Sequence, residues 1–85
     1  MNEQIIKFID GDVDGCGTDI VVLATVLGPD VTNGTISRVS DAINDYKSQN
    51  EGEWDTDGCL DVAKEQLNKE GYIVEFVSPV ANIYF

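Results

Sequence analysis

The chain contains no histidine, and only five lysines and arginines stand against sixteen aspartates and glutamates, a formal net charge of -11 over 85 residues. The missing imidazole removes the commonest general base and the commonest transition-metal ligand, which takes most hydrolase schemes with it. The scarcity of bases argues against direct binding to nucleic acid, whose phosphates are held by Lys and Arg releasing counterions. With only two cysteines, Cys16 and Cys59, a disulfide scaffold is excluded. Free thiols are the expectation, although one bridge between the pair is compatible with the sequence. The longest apolar run, Ile20 to Leu27, is too short to span a bilayer. The N-terminus shows no basic segment followed by an apolar one and a cleavage site, so a cytoplasmic protein without a membrane segment is expected. A mass of 9.3 kDa supports one domain, residues 1–85, with a small core and no room for a deep cofactor pocket.

The acids that are present are bunched. Asp10, Asp12, Asp14, Asp19 and Asp30 fall between Phe8 and Ser37 with no base among them. Glu51, Glu53, Asp55, Asp57 and Asp61 fall between Ser48 and Ala63, again with no base. These two blocks carry ten of the eleven net negative charges, and the other acids and bases nearly cancel. The blocks also resemble each other: Asp10-Gly-Asp-Val-Asp-Gly-Cys16 reappears as Glu53-Trp-Asp-Thr-Asp-Gly-Cys59. A cation or a protein with a basic surface is the natural complement of such a field.

Apolar Ile5, Ile6, Phe8 and Ile9 predict a first strand that stops at the Asp/Gly cluster. Asp19 to Leu27, between a capping Thr18 or Asp19 and the stop pair Gly28-Pro29, is read as a helix, against the pull of its β-branched residues. Val31 to Ile36 surrounds Asn33-Gly34 and predicts a turn or small edge hairpin. Val39, Ala42, Ile43 and Tyr46 recur at helical spacing after Ser37, giving a helix that fades by Gln49. Asp55 or Thr56 caps a further helix with Cys59, Leu60, Ala63 and Leu67 facing inward and Gly71 as its stop. Tyr72 to Val77 and Val80 to Phe85 predict strands. The fold class expected is α+β: a small, mostly antiparallel sheet of N- and C-terminal strands packed against two or three helices.

Asp10, Asp12 and Asp14, followed by Gly15, reproduce the first half of an EF-hand calcium loop, but Val21 occupies the position that needs a bidentate Glu. The second block places Glu53, Asp55 and Asp57 likewise and ends on Lys64, a cation where a ligand should be. A calcium- or magnesium-binding module using Asp10, Asp12 and Asp14 is therefore an alternative reading. Against it stands a purely structural role, since Asp and Gly are what a strand-to-helix turn needs. The same segment is similar to the first motif of haloacid-dehalogenase-type and DHH-type phosphoesterases, which implies a metal-dependent phosphoesterase as a further alternative; the other motifs of those families are not found. No catalytic residue is assigned, and the protein is read as a non-enzyme. Trp54, framed by acids, is either a partner anchor or a core plug.

Asp14-Gly-Cys-Gly17 after a short strand, and Trp54-Asp-Thr-Asp57 opening an alanine-containing helix before a strand-rich C-terminus, resemble the small type II-C anti-CRISPR proteins. Those proteins bind the HNH nuclease domain of an RNA-guided DNA endonuclease. The resemblance implies an inhibitor of phage or mobile-element type acting in the host cytoplasm. It also implies contacts near the C-terminal strands, where this sequence has Ser78-Pro79. The expected function is thus a small acidic, DNA-mimic-like inhibitor that blocks a nucleic-acid-processing enzyme. Its partner-binding candidates are Asp10, Asp12, Asp14, Glu53, Trp54, Asp55, Asp57 and Ser78, and it needs no cofactor.

Overall fold

In a strand, successive side chains point to opposite faces, so a sheet covered on one side buries every second residue. The computed structural model describes residues 2–10, 20–77 and 83, with Asp10 and Ile20 described by backbone alone. Its elements run β1 (Asn2–Asp10), β2 (Ile20–Gly28), α1 (Asn33–Gln49), α2 (Thr56–Lys69) and β3 (Ile73–Val77). The sheet has the order β1-β2-β3 and is antiparallel throughout, giving an α+β fold with both helices on one face. Ile6 pairs with Ala24 and Phe8 with Val22, while Ala24 and Val26 pair with Phe76 and Val74. That face meets Val39 of α1 and Ala63 and Leu67 of α2, with Ala24, Val26, Ala63 and Leu67 fully excluded from solvent. Phe8 and Phe76 meet edge to face, ring centroids 6.2 Å apart, above the small Ala24 of the central strand.

Two expectations are corrected. Residues 20–28 form the central strand, not a helix. Ile20, Val21, Val22, Thr25 and Val26 are stiff at χ1 and suit a pleated surface, and Gly28-Pro29 ends a strand as readily as a helix. Asn33-Gly34 makes no hairpin but opens α1. Thr32 Oγ1 accepts from the Thr35 amide at 3.2 Å and Thr35 Oγ1 accepts from the Thr32 amide at 3.3 Å, a reciprocal cap that commits the chain to helix. The link from β2 into α1 is held to β1 by Gln4, whose Nε2 donates to the Pro29 carbonyl and whose Oε1 accepts from the Val31 amide.

The second helix behaves as its sequence implies. Asp55 is the N-cap, and Cys59, Ala63 and Leu67 form the buried stripe. Its end is a Schellman turn: the Tyr72 amide donates to the Leu67 carbonyl at 3.0 Å and the Gly71 amide to the Asn68 carbonyl at 3.2 Å. Gly71 sits at φ 96°, where a Cβ would be strained. Tyr72 is buried and donates its hydroxyl to the Asp30 carbonyl at 3.3 Å, tying the start of β3 to the end of β2. The expected strand Val80 to Phe85 lies outside the described residues. Among the described residues no helix is long and apolar enough to cross a membrane.

Candidate acidic interface

The second acidic block occupies the turn between α1 and the first turns of α2. Asn50 closes α1, and its carbonyl accepts from the Glu53 and Trp54 amides at 2.8 and 2.9 Å, which folds the intervening chain into a tight loop. Glu51 and Glu53 project from that loop into solvent, and Asp57 and Asp61 are exposed on α2. Asp55 is also exposed, but its carboxylate accepts from the Gly58 amide at 2.7 Å, so it caps the helix as well as adding charge. Gly58 is pressed by the Tyr46 ring, whose hydroxyl occupies the space a Cβ would need. The glycine therefore lets α1 and α2 approach closely at this end.

Trp54 is half-buried and lies outside the core cluster, so it does not plug the core. The Lys47 ammonium sits over its ring, 4.4 Å from the centroid. Sequence reasoning did not single out Lys47. The available signal was its place in the last turn of α1, directly before the block. Its charge is directed onto the indole face. The ion pairs found among the described residues, Arg38 with Glu70 and Lys69 with Glu65, use acids outside both blocks. The block thus keeps its negative charge uncompensated by any such pair. Two hydrogen bonds, from Arg38 first and Gln66 second, hold the Glu70 carboxyl below the usual carboxylate range.

The first block begins at Asp10, the last residue of β1, opposite Ile20. Asp12, Asp14 and Ser78 lie outside the described residues. The strands on either side of residues 11–19 are described. Phe8, Ile9 and Val22 line a cleft of about 90 Å³ together with Lys47, Thr56 and Cys59 from the helices. The strand ends that bracket residues 11–19 therefore reach the same end of the molecule as Glu53, Trp54, Asp55 and Asp57. Cys59 is buried, as expected for a small apolar side chain, while any bridge to Cys16 involves a residue outside the described set.

Among the described residues no three acidic or thiol side chains gather to hold a metal ion. The EF-hand-like spacing of Glu53, Asp55 and Asp57 is spent on a loop and a helix cap instead. Comparison with family models, curated proteins and solved structures gives no match.

Proposed function

We propose that the protein is a small acidic inhibitor that occupies the basic cleft of a nucleic-acid-processing enzyme in place of the polyanion. The observation carrying this reading is the acidic end. Glu51, Glu53, Asp57 and Asp61 are exposed on the loop and first turns of α2 that carry the half-buried Trp54, and β1 and β2 near the first block share a cleft with Thr56. Uncompensated carboxylates at one end concentrate the field of a chain with net charge -11 and steer association with a positive site. Trp54, braced by Lys47, supplies a rigid aromatic of the kind that anchors interfaces. The resemblance to type II-C anti-CRISPR proteins makes the HNH domain of a CRISPR nuclease the first partner to try, with phage or mobile-element origin and action in the host cytoplasm.

Inhibition of such a nuclease by the wild-type chain, and its loss in a variant carrying Glu51→Gln, Glu53→Gln, Asp57→Asn and Asp61→Asn, is the expected result. This variant leaves the Asp55 cap in place, and circular dichroism checks that its fold is retained. Equal inhibition by both proteins removes the acidic end from the mechanism.

A further inference from the structure

A wet face of an antiparallel sheet normally carries polar residues at every second position. The face turned away from the helices does not. Ile5 and Ile9 of β1, Val21 and Leu23 of β2, and Ile73 and Val77 of β3 are all exposed there, Ile5 to 69 % and Ile73 to 60 %. Polar positions on this face are Glu3, Lys7, Thr25 and Glu75, so it is close to neutral on a molecule of net charge -11. With two acids against one base, that face offers the basic partner proposed for the acidic end much less counter-charge than the acidic end does.

We infer that this face is the contact between two copies of the chain, packed sheet to sheet. The charges select that occupant. Lys7 lies on one edge strand, in register with Leu23, and Glu75 on the other, in register with Thr25. A two-fold axis running along β2 exchanges the edge strands, bringing Lys7 of one copy over β3 of the second, and the reverse. The offset of two residues, about 7 Å along the strand, is within reach of a lysine side chain and the usual angle between aligned sheets. Self-complementarity through one opposite-charge pair used twice is what an isologous contact requires, and Thr25 between them turns its hydroxyl to the Glu75 carbonyl at 3.4 Å. β1 and β2, each about 30 Å long, and β3, about 17 Å, spaced about 4.8 Å apart, give a face a little under about 400 Å² per copy. This is about half the area of a standard interface and corresponds to a reversible dimer rather than an obligate one. The same axis places both acidic ends at one end of the dimer, where they repel.

Sedimentation velocity on the whole chain, from about 1 μM to about 1 mM protein at roughly 50 and 500 mM NaCl, tests the inference. A monomer–dimer equilibrium is expected, tightening about tenfold at the higher salt as the repulsion is screened. Binding through the acidic end weakens with salt, so the two readings fail separately. Leu23→Lys should be monomeric with unchanged circular dichroism. Lys7→Glu and Glu75→Lys should each weaken the dimer, and the double exchange should restore it. A monomer at every concentration overturns the inference: if Leu23→Lys then melts lower, the chain covers its own face, and if it melts unchanged, the face serves another protein. A dimer indifferent to Leu23→Lys, or a double exchange no better than either single one, overturns it as well.

Discussion

Asp55 carries two roles that a substitution series can separate. Its carboxylate accepts from the Gly58 amide at 2.7 Å, satisfying one of the orphan donors of α2, and it contributes one charge to the acidic end. Asp55→Ala removes both. Losing an N-cap costs about 1 kcal/mol, within a range of about 0.5–2. For a domain of this size that lowers the melting temperature by roughly 4–8 °C. Asp55→Ser keeps a capping oxygen and removes the charge, so it should melt within about 2 °C of the wild type, serine being as good a cap as aspartate. Thermal unfolding followed by circular dichroism, with urea titration to confirm an unchanged m-value, reads both variants. Inhibition should fall slightly in Asp55→Ser, by the share of one carboxylate. If Asp55→Ala melts with the wild type, or Asp55→Ser falls as far as Asp55→Ala, the capping argument is wrong.

Leu67→Ala, at a fully buried site between α2 and the sheet, should destabilise by about 2–5 kcal/mol in urea unfolding, whereas a change at half-exposed Leu23 should be far milder. Gly71→Ala forces a Cβ onto a backbone at φ 96° and should lower stability by about 1 kcal/mol in the same assay. Glu70 has its folded pKa depressed by Arg38, so the bond contributes stability above the unfolded carboxylate pKa and loses it as pH falls through the lower folded value. Arg38→Gln should therefore melt below the wild type at neutral pH, with the gap closing in acid; a gap independent of pH refutes the assignment. Millimolar calcium should leave the melting temperature unchanged, and an upward shift would instead favour a cation site at Asp10, Asp12 and Asp14.

The α2 helix was legible because every local signal agreed: the Asp55 cap, the Cys59–Ala63–Leu67 stripe and the Gly71 stop. The central strand was not, and the reason bears on function. A strand covered on one face alternates apolar and polar residues, but Ile20 to Leu27 has Thr25 as its one polar residue, because Val21 and Leu23 on the open outer face are apolar too. Without that period, Thr18 or Asp19 and Gly28-Pro29 read as helix ends. Asn33-Gly34 misled for a different reason: its hairpin preference is local, and the Thr32–Thr35 cap one residue earlier outweighs it. At the candidate site, the clustering of Glu53, Trp54, Asp55 and Asp57 could be read directly, since they are neighbours in the chain. The Lys47–Trp54 stacking and the cleft that Phe8 and Val22 share with the start of α2 could not, because both depend on how the helices pack.

The central claim is that carboxylates at one end of the fold recognise a basic enzyme site. Isothermal calorimetry of the wild-type chain against an HNH nuclease domain, repeated over a series of salt concentrations, addresses it directly. Affinity should fall steadily as salt rises, and the variant lacking the Glu51, Glu53, Asp57 and Asp61 charges should bind weakly with a shallower salt dependence. Tight binding that ignores both salt and those four substitutions would contradict the account.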